Sequence, residues 1–262
     1  MYHHINPAGN FVNVKPHIFE NQMRFLNKQG FTTLNTNDFL SIIEGSVLLP
    51  EKPIMITFDD GWLDNWIYAF PILKKYGIKA VVFAVTSFIQ ERGIRQRSDE
   101  GVAHGLPPHN ECLKMIESGL ASDVMCSWAE LGEMEKSGLV EVQSHTHTHK
   151  RWDRLYADPL ERIKALRDEL LISRNIIEER LGKRCDSLCW PWGKYDVEYI
   201  AAAKEAGYKI LFTTDKGTNT IKTDPMKIKR LVIGNIGLFS FRKKLFIHSR
   251  DWLSKAYLRY FK

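Results

Sequence analysis

Two stretches of this chain could do chemistry together. Asp59 and Asp60 stand side by side before Gly61, at the end of the apolar run Ile54-Met55-Ile56-Thr57-Phe58. Far downstream, His145 and His149 lie four apart in Ser144-His145-Thr146-His147-Thr148-His149, after a second apolar run, Leu139-Val140-Glu141-Val142. A carboxylate with two imidazoles and an open position is the donor set of a catalytic divalent metal, which keeps a water to activate. The other carboxylate is then free to act as a base. Each piece alone is weak, because aspartates beside glycine are often only turn formers and His147 makes the second segment simply histidine-rich.

Such groups need rigid elements to aim them, and the chain alternates helical and strand-like stretches. Residues 16–29 carry helical periodicity up to Gly30, Phe31-Thr32-Thr33-Leu34 is a short strand, and Thr36-Asn37-Asp38 caps a short helix ending near Gly45. After the aspartates a helix runs through Trp66, Phe70 and Leu73 to the Gly77 stop. Lys79 to Val85 is then a near-continuous apolar run, as expected of a parallel strand covered on both faces. Ser127 and Glu130 have capping-box spacing. Further strands are expected at 139–143, 208–214 and 230–234, and helices at about 158–181 and 196–206. This alternation predicts a parallel sheet, closed or nearly closed into a barrel, with functional groups at the carboxyl ends of its strands. The polar stretch 90–126, with Gly93, Gly101, Gly105, Pro107 and Pro108, has one helix-like piece around Leu113-Met115-Ile116. It is expected to be a loop covering the substrate.

The 262 residues, 44% hydrophobic and 26% charged, exclude a disordered or fibrous chain. A net charge of +6 favours anionic partners. No nucleic-acid-binding motif accompanies it, so no nucleic acid partner is expected. Cys112, Cys126, Cys185 and Cys189 form no Cys-x-x-Cys pair and read as reduced thiols. Met1 is followed at once by polar residues, and no apolar stretch approaches the roughly 20 residues that span a bilayer. The expected location is cytoplasmic, with peripheral contact at the inner membrane face as an allied expectation. Residues 1–238 read as the catalytic domain and 239–262 as a basic, aromatic tail. The favoured expectation for the tail is a helix docking its apolar face on the domain; the second is an amphipathic helix on an anionic membrane.

In order, Asp-Asp-Gly, Ser-His-Thr-x-Thr-His and Pro191-Trp192-Gly193 resemble the motifs of the polysaccharide deacetylases of the NodB-homology type, carbohydrate esterase family 4. The resemblance runs from about Tyr2 to Arg230. It implies an α/β fold, a deformed (β/α) barrel of about seven strands. It also implies that Asp59 is the general base and that Asp60, His145 and His149 hold one divalent metal ion. Zn2+ is the first expectation, with Co2+, Ni2+ or Fe2+ as alternatives. Thr146 would support the histidine loop, His147 falls on an unmatched position, and the Trp192 N–H would form part of an oxyanion hole.

Two family features are missing. The third motif begins with an arginine that tunes the base, and Cys189 stands there instead; Arg230 is the candidate substitute. The Leu-x-His that supplies the general acid is also absent, and His248, the only late histidine, lies in the basic tail. Tyr2-His3-His4-Ile5 instead resembles the N-terminal Tyr-His element of the circularly permuted branch that deacetylates poly-N-acetylglucosamine. His3 is then the candidate acid and His4 its neighbour. A strand normally leads into that element, so either the true start lies upstream or the strand is missing. The resemblance implies N-deacetylation of GlcNAc-type units in a cell-envelope polysaccharide, or in a lipid-linked or lipopolysaccharide precursor. The partner is thus an N-acetylated glycan or glycolipid, for which Trp62, Trp152 and Trp192 are expected as exposed sugar platforms. An O-acetyl esterase or another carbon–nitrogen hydrolase is the alternative; a non-catalytic glycan-binding relative ranks below both, since all four core residues are present.

Overall fold

The sheet that carries the two aspartates is built from short strands whose every residue is buried, as the apolar runs require. The computed structural model describes residues 1–101 and 105–260. Its chain starts with β1 (His4–Ile5), paired in parallel with β2 (Asn13–Val14), and α1 (Pro16–Lys28), whose proline at the first turn gives up no hydrogen bond. A second small parallel pair, β3 (Thr32–Thr33) and β4 (Pro53–Ile54), flanks α2 (Thr36–Ile43). The cap of α2 is Asn35, paired with Asp38 in a capping box, rather than the Thr36-Asn37-Asp38 stretch expected from sequence.

The main sheet is β5 (Ile56–Asp60), β6 (Ala80–Ala84), β7 (Val140–Ser144), β8 (Ser187–Cys189) and β9 (Ile210–Phe212), parallel and in sequence order. A π-helical turn, Asn65–Ala69, and α3 (Phe70–Tyr76) connect β5 to β6. The remaining crossovers are made by α6 (Trp128–Lys136), α8 (Pro159–Leu181) and α9 (Val197–Glu205). The Ser127–Glu130 capping box expected from sequence opens α6.

Five strands form the sheet, fewer than the seven expected, but extended segments continue the circuit at both edges. Tyr2 bridges Phe58 of β5 and Ile228 bridges Phe212 of β9. Met1 in turn exchanges hydrogen bonds with the segment after Ile228: its amino group donates to the Leu231 carbonyl, and the Ile233 N–H donates to the Met1 carbonyl. Residues 230–234, expected as a strand, pair with Met1 only through these isolated hydrogen bonds and form no regular strand of their own.

Alternation along the strands sorts the core. Val81, Phe83, Ile210, Phe212 and Ile228 share one small buried cluster with Cys189, against which Phe39 and Leu40 of α2 pack. Ala80, Val82 and Ala84 face the larger cluster under the helices. Beside that plug, the buried carboxylate of Glu141 accepts from the Thr36 N–H at 2.7 Å and from the Thr36 hydroxyl, at the start of α2. A helix N-terminus favours an anion there. The 90–126 stretch is less loop-like than expected: besides unstructured backbone it holds α4 (His109–Glu117) and α5 (Ala121–Val124). Residues 102–104 of it lie outside the described residues. After a short α7 (Trp152–Leu155) beyond the histidines, the chain's last elements are α10 (Leu238–His248) and α11 (Asp251–Tyr260). Helix α10 lies against α1, with Phe241 buried near Phe25. Phe261 and Lys262 of the expected tail are outside the described residues. Among those described, no helix is long and apolar enough to cross a membrane.

Candidate metal centre

Asp59 and Asp60 are the last two residues of β5, so the pleat sends their side chains in opposite directions. Asp60 has φ 79°, a left-handed conformation that turns its carboxylate back toward the strand ends, and Gly61 continues the turn at φ 89°. A Cβ on Gly61 would stand 3.0 Å from the Ile89 side chain. Thr146, His149 and Trp192 are also left-handed, so four of the five non-glycine residues with positive φ among the described residues lie at this site. Each costs on the order of 1–3 kcal/mol. Such clustering marks a constellation that the surrounding fold over-determines.

Asp60, His145 and His149 converge. Asp60 Oδ1 lies 3.4 Å from His145 Nε2 and 3.5 Å from His149 Nε2. One donor atom from each of the three comes within 4.8 Å of the others. His145 Nδ1 donates to the Cys189 carbonyl at 2.8 Å, which fixes the tautomer and leaves Nε2 as the ligand nitrogen. The His149 N–H donates to the Thr146 hydroxyl, and Glu169 of α8 accepts from both the N–H and hydroxyl of Thr148. His147 points away, against the Thr86 hydroxyl at 2.9 Å.

The charges are set accordingly. Burial alone would raise the Asp60 carboxyl, but the hydrogen bond from His145 and the fields of His149 and His3 hold it well below its ordinary value. Burial pushes His149 down to about 4, so it is neutral and able to ligate at neutral pH. Burial also works against a charge on His145, yet its anionic neighbours raise it.

Asp59 plays a different part. Its carboxylate faces Arg230 in a bidentate, buried ion pair, Oδ1 to Nη1 at 2.6 Å and Oδ2 to Nη2 at 2.9 Å. Arg230 Nε donates to the Thr213 carbonyl, and Nη2 reaches Cys189 Sγ at 2.8 Å. Burial raises the Asp59 carboxyl, but Arg230, with His145 and His3, outweighs it and holds it down at about 2. Asp59, His145 and Cys189 are also close enough to share an ion. There, however, the guanidinium already touches both Asp59 and Cys189, where a second cation would be repelled. The donor set that fits a divalent metal is Asp60, His145 and His149: one carboxylate, two imidazoles with free Nε2, and half-open access through His149.

The other expected residues fall around this centre. Trp192 is exposed, its ring 5.4 Å from that of His149, and its N–H has no protein acceptor among the described residues. Trp62 and Trp152, expected as exposed platforms, are buried instead. Trp62 donates Nε1–H to Asp60 Oδ2 at 2.8 Å, and Trp152 stacks on Tyr156. His3 is half-buried, its carbonyl tied to Asn65, and its charge bears on Asp59, Asp60 and His149. His4 is buried and committed elsewhere: Nδ1 meets Asp64 Oδ2 at 2.6 Å, Nε2 meets His109 Nδ1 at 3.1 Å, and the ring stacks on Trp62. Sequence reasoning missed Trp62 as a support of Asp60, and it missed Asp64 and His109. The signal for Asp64 was its place in Trp62-Leu63-Asp64-Asn65, just past the paired aspartates; His109 carries no local signal, since it arrives from the long connection.

Replacing Trp62 by Phe keeps the ring but removes the hydrogen bond that orients Asp60. Metal affinity is expected to fall by about 10–100-fold, read by titrating metal into the stripped protein. An unchanged affinity would show that Asp60 needs no such support.

A family model described as polysaccharide deacetylase matches residues 47–211, more than half the chain. That span includes the aspartate pair, the histidine segment and Pro191-Trp192-Gly193, but neither His3 nor Arg230. YxkH of Bacillus subtilis (strain 168) is 28% identical over 217 residues, 83% of this chain and 64% of its own. The poly-beta-1,6-N-acetyl-D-glucosamine N-deacetylase of Staphylococcus aureus (strain MRSA252) is 28% identical over 223 residues, 83% of this chain and 66% of its own. The chain thus spans just under two thirds of the length of these curated relatives. Among solved structures, the Streptococcus pyogenes deacetylase PplD in complex with acetate superposes with a TM-score of 0.73 at 21% identity, covering 93% of this chain and 95% of that one. At that identity the likeness is one of fold.

Proposed function

Since the chain belongs to the polysaccharide deacetylase family, we propose that it is a metal-dependent N-deacetylase acting on N-acetylhexosamine units, GlcNAc-type, of a cell-envelope polysaccharide or lipid-linked precursor. The observation that carries this is the pairing of Asp60, His145 and His149 with an Asp59 kept ionised by Arg230. The naming of the Staphylococcus aureus relative supports a GlcNAc-type substrate. Asp60, His145 and His149 would hold a divalent ion, Zn2+ first among the choices their N and O donors suit, which when bound would supply an acidified water and polarisation of the amide carbonyl.

The chain's own residues divide the remaining work. Asp59 accepts the proton of the water that adds to the amide carbon. The Trp192 N–H, free and held at φ 59° beside His149, donates to the oxygen as it gains charge. His3, open where His4 is buried, protonates the nitrogen as the C–N bond breaks, giving acetate and a free amine. The exposed Trp192 ring offers a face to the sugar.

Incubation with N-acetylglucosamine oligomers is expected to release acetate and free amine in equal amounts, lost on chelation and restored by divalent metal. Acetate released only from O-acetylated glycans, with no amine, would replace this reading by the esterase one. No acetate from either substrate by metal-loaded protein would end it.

A further inference from the structure

Away from the metal centre, the barrel wall is left partly uncovered where residues 228–233 meet Met1 and β5. A cavity of about 1080 Å3 opens there, between the barrel, α1, α2 and α10. That volume is slightly above the roughly 300–1,000 Å3 of small-molecule sites. Its walls are hydrocarbon and aromatic: Phe25, Phe31, Phe39, Ile42, Phe212 and Phe241. At the mouth, Leu49, Ile221, Phe239 and Phe246 are all more than half exposed, far more apolar surface than singly scattered residues would give.

The charged residues around this cavity are all of one sign. Lys52, Lys229, Arg230, Arg242, Lys243 and Arg250 line it, and among the described residues no Asp or Glu does. Arg230 is taken up by Asp59; the other five are not paired with a carboxylate among the described residues. Arg242 and Arg250 lie over the rings of Phe25 and Phe246 at 5.4 and 4.1 Å, and Lys52 donates to the Gln29 carbonyl. Elsewhere on the surface lysines and arginines commonly find acidic partners, as Lys75 does in Glu20 and Arg151 in Asp153. Burial and the neighbouring Lys244 and Lys216 also hold His248 below its ordinary value, in keeping with a positive potential.

We propose that this cavity is a binding site for an anionic amphiphile, with one long hydrocarbon chain between α1, α2 and α10 and a phosphate-type head at the Arg242–Arg250 rim. The polar side chains that line it, such as Gln29, Thr218, Asn219 and Ser249, are outnumbered by the aromatic and aliphatic walls, which suit a hydrocarbon chain better than a sugar; the unpaired cations favour an anionic head over an uncharged one. The inner wall includes Arg230, which also holds Asp59, but the binding of the amphiphile is tested without reference to the deacetylase reading.

Calorimetric titration with monomeric dodecyl phosphate, below its micelle concentration, tests the proposal directly. One molecule is expected to bind per chain, with dodecyl maltoside weaker and dodecyltrimethylammonium not bound. The double variant Arg242→Glu/Arg250→Glu is expected to lose at least about tenfold in affinity. It should retain its circular dichroism and its acetate release from soluble oligomers, which separates loss of the site from loss of the fold. A second variant, Ile42→Trp, fills the cavity without touching its charge and is expected to weaken binding too. Equal binding of the neutral maltoside, or an unchanged affinity in the charge-reversed variant, would overturn the proposal. So would binding of inorganic phosphate as tight as that of the amphiphile, binding to anionic vesicles but not to the monomer, or a dimer that closes the cavity.

Discussion

Asp59→Asn is expected to lower the rate of acetate release by about 10²–10⁴-fold while the protein keeps one metal per chain. The change is nearly isosteric, so the barrel interior keeps its packing. What disappears is the proton acceptor, and with it about 2.7–5.5 kcal/mol of transition-state stabilisation. The carboxyl is held down at about 2, so wild-type Asp59 is ionised across any ordinary assay pH and its loss cannot be masked by partial titration. The metal donors are spared, because Asp60 points the other way and has its own bond from Trp62. Elemental analysis beside the acetate assay separates the two effects. Full activity at unchanged metal content would remove Asp59 from the chemistry.

The contrast between the two neighbouring aspartates shows what a linear sequence can carry. Their division of labour follows from the pleat: consecutive residues of a strand face opposite ways, so one carboxylate enters the barrel while the other meets the histidines. The strands themselves were legible for the same reason, since continuous apolar runs such as 79–85 have few other uses. Helices with strong stops, at Gly30 and Gly77, were legible too. A closed or nearly closed barrel was expected, but the residues that close it were not legible: closure depends on single bridges by Tyr2 and Ile228, too short to leave a periodic signature. Nor was the burial of Trp62 and Trp152, because an aromatic near a motif has the same identity whether it faces sugar or core. His109 was illegible for a third reason: only the tertiary path of the 90–126 segment brings it to His4.

Cys189 and Arg230 are the sharpest case, since local motif reading found a gap and only distance could fill it. Arg230 reaches Asp59 from the segment that follows the Ile228 bridge, and its guanidinium also touches Cys189 Sγ, the side chain that stands where the family motif has arginine. The carboxylate therefore still has one guanidinium, delivered from a different strand position.

Arg230→Met is accordingly expected to destabilise the protein by about 3–5 kcal/mol at neutral pH, because it strands a buried carboxylate. The pH dependence identifies the cause. In the wild type the Asp59 carboxyl is depressed from 3.8 to about 2, so the ion pair contributes fully above the ordinary value and fades as pH falls through about 2. Without Arg230, burial raises that carboxyl, and mild acid relieves the strain by protonating it. Urea unfolding of the two proteins should therefore differ most near pH 7 and converge toward pH 4; a constant gap would mean lost packing rather than lost charge. Acetate release should fall with a steeper acid limb, since a raised carboxyl is a base only at higher pH. Adding Cys189→Arg to Arg230→Met returns a guanidinium to the same carboxylate, from a Sγ position 3.7 Å from Asp59 Oδ2. That double variant is expected to recover most of the lost stability and rate, whereas Cys189→Arg alone crowds two cations onto one anion and destabilises. This reversal of sign between backgrounds is what shared use of one partner produces. If the double variant is no better than Arg230→Met, the two positions are not equivalent supports of the base.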